Sequence, residues 1–366
     1  MRCVTTEEER GLMTSSSMIT EKTGFQEVLR TRPELWDHYT RAEEYTPNNL
    51  DSYGRFPGSA SSCRRISQPI ASEALFKTDL LPSWPEEHEF AVCLTHDIDS
   101  VYRPRRAQGA EAIIKLLRKD VHGFWGDLKK SACMGKRWPL CDFERILDLE
   151  EEYGASSSFF FLVQDPDEDD YTYEIEDLEA EMGHIRDRSG EIGLHGGFSC
   201  YHNLEQVRQR KTRLAKAINA PVVGYRNHYL LIKVPKTWEL LAHAGFLYDT
   251  TLGYHDCIGF RNGMCHPFRP FNRHSDSEIP LIEVPLIISD MALFNYMHLD
   301  IEAAWIQIQQ MIDRVCAVRG VVTILWHNIS MFDERLDLYR RILNYCREKN
   351  AWMDTCGELV KWWTSQ

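Results

Sequence analysis

Two aspartates separated by one residue follow the first long apolar run of this sequence. Residues 90–95 read Phe-Ala-Val-Cys-Leu-Thr, and His96, Asp97, Ile98 and Asp99 come directly after them. Side chains of an extended segment alternate between two faces, so we expect both aspartates to point one way and the histidine the other. Two neighbouring carboxylates repel each other unless one binds a cation or keeps a proton. The pair is therefore a candidate for metal binding and general-base chemistry, although an isolated pair of this kind more often caps a helix.

Three further apolar runs end in basic side chains, which are His195 in the first, Arg226 and His228 in the second, and His327 in the third. Arg226 and His228 are two residues apart, so they share a face if the chain is extended. Arginine is the usual bidentate partner of a carboxylate, and histidine can bind a metal or donate a proton. One such histidine alone would more often be structural. Four strand ends that carry Asp-x-Asp, His, Arg-x-His and His are hard to attribute to packing.

The elements that must position these side chains are short apolar strands alternating with amphipathic helices from residue 90 onward. We predict strands at 90–95, 156–163, 191–195, 222–226, 246–250, 281–288, 321–327 and 351–354, and helices at 141–153, 174–188, 204–218, 237–244, 301–318 and 334–349. Seven or eight such units predict an α/β fold of the (β/α) barrel kind, closed or distorted. In these barrels functional side chains lie at the carboxyl ends of the strands, which is where the candidates occur.

Residues 1–88 have a different texture, because they are polar and rich in turn-forming residues. We expect them to form an N-terminal extension that wraps on the main body and has no core of its own. Residues 89–366 are then the catalytic barrel domain.

Charge and cysteine content exclude several classes of protein. The chain has 42 Lys and Arg residues against 55 Asp and Glu, a net charge of −13 that opposes binding to nucleic acid or an anionic membrane. Eleven cysteines without a C-x-x-C pair fit neither a disulfide framework nor a zinc ribbon. No apolar run is long enough to span a membrane, and the first residues lack the apolar core of a signal peptide. These features predict a soluble cytoplasmic protein.

The order and spacing of the motifs over residues 90–364 resemble the polysaccharide deacetylase family, whose catalytic unit is named after the nodulation-factor chitooligosaccharide deacetylase. The similar segments are Leu94-Thr-His-Asp97-Ile-Asp99, Glu191-Ile-Gly-Leu-His195, Gly224-Tyr-Arg226, Gly245-Phe-Leu-Tyr-Asp-Thr-Thr251 and Leu325-Trp-His327. The resemblance implies a distorted (β/α)7-8 barrel. It assigns Asp97 as the catalytic base, Asp99 and His195 as metal ligands, Arg226 as the residue that holds the base, and His327 as the catalytic acid.

One departure from the family pattern concerns the metal ligands. The usual second motif is H-[ST]-x-x-H, but Ser199 stands four residues after His195, where the second histidine is expected. His202 has the wrong spacing. We expect His228 to supply the third protein ligand, with a hydrogen-bonded histidine in the groove as the alternative.

The implied activity is removal of an N-acetyl group from an amino sugar, an oligosaccharide or a glycan precursor by metal-activated water. Zinc is the default cation for two imidazoles and one carboxylate, and cobalt, nickel or iron also fit. We predict that the substrate is contacted by Tyr229, Asp249, Tyr254, Arg261 and Trp326. The loop at residues 259–268 would cover the groove and bring its arginine and aromatic rings to a sugar, unless its aromatic residues only order the loop itself.

Two alternatives remain open at this point. Residues 245–251 also resemble the allantoinase-like and cyclic-imide hydrolase branch of the same superfamily, which would open the ring of a small amide at the same site. Ser199 in a ligand position suggests a catalytically silent carbohydrate-binding protein. The presence of Asp97, Arg226 and His327 argues against silence, since binding alone requires neither a base nor an acid.

Overall fold

A parallel sheet forms the centre of the protein. The computed structural model describes residues 24–78, 80–102, 141–168 and 170–366. In these ranges the strands are β1 (Phe90–Ile98), β2 (Ser157–Leu162), β3 (Glu191–Gly196), β4 (Gly224–Asn227), β5 (Tyr248–Asp249), β6 (Phe271–Asn272), β7 (Ser277–Glu278), β8 (Ile282–Glu283), β9 (Ile288–Ser289), β10 (Val321–Leu325) and β11 (Ala351–Met353). All except β6 and β7, which form a separate antiparallel hairpin, belong to one sheet of order β8-β5-β4-β3-β2-β1-β10-β9, and β11 also pairs with β1.

Helices follow most of these strands, as the sequence pattern predicts. They are α1 (Gly24–Arg30), α2 (Pro33–Tyr39), α3 (Ile70–Phe76), α4 (Phe143–Glu151), α5 (Glu179–Asp187), α6 (Leu204–Ile218), α7 (Lys236–His243), α8 (Ile301–Cys316), α9 (Asp333–Glu348) and α10 (Cys356–Ser365). The α6 helix has the predicted bounds. It begins after Asn203, whose side chain accepts a hydrogen bond from the backbone N–H of Gln206, which is a standard N-cap. No helix in the described ranges is long and apolar enough to cross a membrane.

The central strands are buried on both faces, which explains their continuous apolar sequences. All nine residues of β1 are buried, and so are all six of β2. The sheet with its helices confirms the predicted (β/α) barrel architecture.

One predicted strand is wrong, because residues 281–288 form two short strands, β8 and β9. Pro285 stands between them and has no N–H to donate to a strand ladder. The residues after it still bond to the sheet, since Leu286 N–H donates to the carbonyl of Leu252 and Ile287 N–H donates to that of Thr323, each at 3.1 Å. This segment thus links β8 and β9, the two edge strands of the curled sheet.

The described part of the N-terminal segment packs on the barrel. Phe25, Leu29, Leu35 and Leu75 are buried in the same hydrophobic cluster as the barrel strands. These contacts join the two sides of residue 88 in one cluster, and the division of the chain at that point stays a prediction.

A buried ionic cluster also joins the N-terminal segment to the barrel. Glu44 accepts hydrogen bonds from Arg41 at 2.7 Å and from Arg261 at 2.9 Å, and all three side chains are buried. Burial alone would raise the pKa of Glu44, but the charges of Arg261 and Arg41 outweigh it and lower this pKa to about 2. The guanidinium of Arg261 is enclosed and paired with Glu44, so its predicted contact with a sugar gains no support from this arrangement and stays a prediction.

We expect Glu44→Gln to lower the free energy of unfolding by about 3 kcal/mol at pH 7, since two buried arginines lose their shared anion. The folded-state pKa lies below the unfolded value of 4.5, so the carboxylate stabilises the fold above pH 4.5 and loses this effect as the pH falls toward 2. The difference between variant and wild type should therefore shrink in acid. Urea unfolding at several pH values measures it.

Glu302→Gln is the matched control, because it breaks an exposed ion pair with Arg341. Its unfolding midpoint should stay near that of the wild type. An equally small effect of Glu44→Gln would contradict an anchoring role for the buried cluster.

Candidate metal centre

Parallel strand register brings the candidate residues to one level of the barrel. The β1 strand continues three residues beyond its predicted end, and Asp97 pairs with Phe160 of β2. Where β3 pairs with β4, His195 lies opposite Arg226. Because these strands are parallel and adjacent, their carboxyl ends open onto the same side of the sheet.

Three possible metal ligands meet there, from the ends of β1, β3 and β4. Nε2 of His195 lies 3.1 Å from Oδ1 of Asp99 and 3.1 Å from Nδ1 of His228. The third edge of this triangle, from Nδ1 of His228 to Oδ1 of Asp99, is 3.3 Å. Ligand atoms bonded at roughly 2.0–2.1 Å to one tetrahedral zinc ion are about 3.3 Å apart. The three atoms are therefore spaced as the ligands of a single cation would be, and we call them the donor triangle.

The Asp99 carboxylate fits this role chemically. Among the described residues, no group donates a hydrogen bond to its buried Oδ1 atom, although buried carboxylate oxygens normally have a partner. Burial alone would raise the pKa of Asp99, but His228 and His195 together hold this pKa well below its usual range. An ionised oxygen without a hydrogen bond, facing two imidazole nitrogens, is a suitable donor set for a divalent cation.

Each histidine of the triangle is oriented by a partner on its other side. Nδ1 of His195 lies 3.1 Å from the carbonyl oxygen of Arg226, which can only accept, so Nδ1 is held by this contact and Nε2 is the nitrogen that faces the site. Nε2 of His228 faces the carboxylate of Asp170 at 3.8 Å. Such outer partners orient metal-binding histidines in many proteins.

Glycine at position 196 is required by the tight packing beside His195. A Cβ at this position would collide with the hydroxyl of Tyr225, which donates to Asn227. Gly196 therefore leaves room for the Tyr225 side chain of β4 beside His195.

Arg226 holds the candidate base. Its Nη1 atom donates to Oδ1 of Asp97 at 3.1 Å and to the hydroxyl of Thr95 at 2.6 Å. The guanidinium is fully buried, and it also donates to the carbonyl and the hydroxyl of Thr250. The other oxygen of Asp97 lies 3.7 Å from Nε2 of His195. A fixed positive charge thus keeps one oxygen of this carboxylate in place while the other oxygen faces the donor triangle.

His327 faces the same site from the end of β10. Its Nε2 atom lies 3.7 Å from Oδ2 of Asp99, and its Nδ1 atom lies 2.7 Å from Oδ1 of Asp290. Burial alone would lower the pKa of His327, but the charge and hydrogen bond of Asp290 raise it to about 10. The imidazole is therefore protonated at neutral pH and can donate a proton.

Asp170 and Asp290 are the two site residues that sequence analysis missed. Asp290 directly follows β9, so the rule that led to the other strand ends also identifies it once this strand is separated from β8. Asp170 lies in a loop after β2, and no sequence pattern marks it.

Four of the five predicted substrate contacts are buried away from this cluster. Arg261 is held by Glu44, as described above. The ring of Trp326 packs on Tyr339 with ring centroids 5.5 Å apart, because successive strand residues alternate faces and the next residue, His327, faces the site. The fully buried carboxyl of Asp249 accepts from the backbone N–H of Thr251.

Tyr254 is buried as well, and its hydroxyl lies 3.4 Å from the carbonyl of Arg261. Trp326, Asp249 and Tyr254 therefore present almost no surface to a sugar in the groove, and their roles as substrate contacts stay predictions. Tyr229 alone lies beside the ligands, with its ring 4.1 Å from that of His228.

Two other polar residues near the motifs lie outside the donor triangle. The His96 ring points away from Asp99, as strand alternation predicts, and its nitrogens bond to Glu150 and to the carbonyl of Trp326. The Ser199 hydroxyl donates to Oε1 of Gln206 at 2.6 Å on α6.

Comparison with known proteins yields structural similarity only. No family model and no curated protein sequence matches this chain. The crystal structure of a protein assigned as a polysaccharide deacetylase from Mycobacterium smegmatis aligns with a TM-score of 0.54 and 19% identity, over 78% of this chain and 93% of that one. This similarity confirms that the chain has the barrel fold of that protein.

Two further solved structures align more weakly. A polysaccharide deacetylase from Bacillus cereus has 12% identity and a TM-score of 0.39, over 73% of this chain and 91% of that one. A CE4 family pseudoenzyme from Bacillus anthracis has 10% identity and a TM-score of 0.39, over 74% and 65%.

Proposed function

We propose that this protein is a metal-dependent hydrolase that removes N-acetyl groups from amino sugars or their oligomers. One observation carries the proposal: an arginine-held carboxylate, three donor atoms spaced for one cation and a protonated histidine converge at one barrel end. The base Asp97 lies 3.7 Å from Nε2 of His195, and the acid His327 lies 3.7 Å from Oδ2 of Asp99. The fold of the Mycobacterium smegmatis protein supports the same activity.

The proposed cation ligands are Asp99, His195 and His228. Two imidazoles and a carboxylate suit zinc, and cobalt, nickel or iron also fit this donor set. When bound, such a cation would polarise the acyl oxygen and make water more acidic.

The residues of the chain then carry the proton transfers of amide hydrolysis. Asp97 accepts a proton from the attacking water, and its ion pair with Arg226 orients it beforehand. The water oxygen bonds to the acyl carbon, and the bond from this carbon to nitrogen breaks. His327 gives its proton to the departing nitrogen, so the products are acetate and a free amine.

A substrate screen distinguishes the proposed deacetylase from the two alternatives, an allantoinase-like hydrolase and a silent carbohydrate-binding protein. We propose to measure acetate release from N-acetylglucosamine and its oligomers, and ring opening of allantoin and cyclic imides, with the same preparation. Acetate release alone supports the deacetylase. Ring opening alone would replace it with the allantoinase-like alternative, and activity on neither set would favour the silent carbohydrate-binding protein. His228 beside Asp99 and His195 argues against the silent alternative, because a third donor is present despite Ser199.

Asp290→Asn is expected to lower kcat by about 100-fold and leave KM nearly unchanged. Asparagine keeps the shape of the side chain but removes the charge that keeps the His327 imidazole protonated, so the amine would leave without an efficient proton donor. Steady-state kinetics with the acetylated sugar that the screen identifies measures this split.

Asp300→Asn is the matched control, since Asp300 is an exposed aspartate that caps α8. A rise in KM with an unchanged kcat in Asp290→Asn would show that Asp290 acts in substrate binding. It would contradict the role of Asp290 in keeping the His327 imidazole protonated.

A further inference from the structure

A tight turn of the N-terminal segment projects an aromatic ring toward the candidate site. Oδ1 of Asp51 accepts hydrogen bonds from the backbone N–H groups of Tyr53 at 2.9 Å and Arg55 at 2.8 Å. Oδ2 of the same carboxylate accepts from Nε of Arg55 at 2.8 Å. Gly54 completes the turn with φ of 82°, which glycine adopts without strain. The turn is thus fixed by its own hydrogen bonds, and Tyr53 is presented from a rigid support.

Four aromatic residues from distant parts of the chain meet around this turn, and we call them the aromatic rim: Tyr53, Phe198, Tyr229 and Tyr296. Tyr53 stacks on Tyr229 with centroids 5.5 Å apart and an angle of 12° between the planes, and Phe198 meets Tyr229 edge-on at 6.0 Å. Arg55 donates to the hydroxyl of Tyr296 at 3.0 Å.

The rim is accessible although it is made of large aromatic rings. Tyr53, Phe198 and Tyr296 are 48%, 45% and 42% exposed. Large aromatic side chains usually bury most of their surface, and exposed ones that cluster commonly mark a binding site. The rim therefore has exposed ring surface that a bound ligand would cover.

The rim begins at the candidate metal centre. Tyr229 directly follows His228, and the two rings are 4.1 Å apart. Its backbone has φ of 59°, an unfavourable region for an aromatic residue, and such strain is characteristic of functional sites. The Tyr229 hydroxyl also lies 3.4 Å from Oδ1 of Asp170, the carboxylate behind His228. A substrate that reacts at the cation site would extend directly over Tyr229.

We propose that the aromatic rim binds a second sugar ring of an N-acetylated oligosaccharide, so that the N-terminal segment helps to select chain length. This inference rests on the proposed deacetylase function. Sugar rings pack their C–H faces on aromatic rings, and tyrosine hydroxyls can bond to sugar hydroxyls. The cation Arg55 beside the rim is paired with Asp51 at 2.8 Å, so the rim favours a neutral chain over an anionic one.

The test compares Tyr53→Ala with the wild type on N-acetylglucosamine and on its β-1,4-linked tetramer. Stacking of one ring corresponds to roughly tenfold in kcat/KM. We expect a loss of about tenfold on the tetramer and a clearly smaller loss on the monomer. Tyr53→Phe should keep most of the tetramer activity, because it keeps the ring. Phe76→Ala removes an aromatic side chain of the same segment with 42% exposure, outside the rim, and should leave both rates unchanged.

Equal effects of Tyr53→Ala on monomer and tetramer, or no effect on either, would overturn the rim proposal while the deacetylase function stands. If the wild type releases no acetate from either sugar, the deacetylase function fails, and calorimetric titration with the tetramer decides the rim separately. Tetramer binding that weakens about tenfold in Tyr53→Ala would support the rim. Equal binding by both proteins, or binding by neither, would overturn it.

Discussion

Asp97→Asn is expected to lower the kcat of deacetylation by about a thousandfold while the fold and the bound metal are retained. Asparagine can still accept the hydrogen bond that Arg226 donates to Oδ1 at 3.1 Å, so the local geometry should survive. It cannot accept a proton from water at neutral pH. The loss should therefore fall on kcat, whereas metal content and KM should change little.

Three measurements on one preparation check this expectation: initial rates of acetate release, elemental analysis and urea unfolding. Asp187→Asn serves as the control, because Asp187 is an exposed aspartate at the end of α5. Turnover near that of the wild type in Asp97→Asn would remove Asp97 from the role of base. Loss of metal in this variant would instead mean that Asp97 is a ligand.

Asp99→Ala is expected to lower metal affinity by more than about 100-fold and to abolish activity at the same time. Asp99 is the anion of the donor triangle, and its Oδ1 atom lies within 3.3 Å of both imidazole nitrogens. Its removal leaves two neutral ligands and takes away the charge that attracts the cation. Calorimetric titration with zinc measures the affinity without requiring a substrate.

The two aspartates of the Asp-x-Asp motif should therefore give opposite metal phenotypes although one residue separates them. Activity should partly return in Asp99→Ala at high zinc concentration if the loss comes from weak binding alone. Unchanged zinc affinity in Asp99→Ala would contradict its role as a ligand, whatever happens to the rate.

The core of the site could be predicted from sequence because each residue lies at the end of an apolar strand. Once the strands are parallel neighbours, the polar residues that follow them must meet at one edge, and six predicted side chains do so: Asp97, Asp99, His195, Arg226, His228 and His327. Strand alternation also separates His96 from Asp99. The roles of these residues remain predictions that the variants above test.

Two physical reasons explain why predicted substrate contacts are enclosed in the structure. Trp326 and His327 directly follow β10, and alternation along an extended chain puts adjacent residues on opposite faces. Arg261 pairs with Glu44, a residue 217 positions away, and no local pattern reveals such a contact. The aromatic rim could not be predicted from sequence for the same reason, since Tyr53 and Tyr229 become neighbours only through the packing of the N-terminal segment on the barrel.

The most direct test of the metal-dependent site is the zinc stoichiometry of the gently purified protein, measured by elemental analysis beside His195→Ala and the control His202→Ala. His202 lies in the same stretch of chain but outside the donor triangle. We expect close to one divalent ion per chain in the wild type and in His202→Ala, and little in His195→Ala. No bound ion in the wild type, even after incubation with zinc, cobalt or nickel, would contradict the metal-dependent hydrolase.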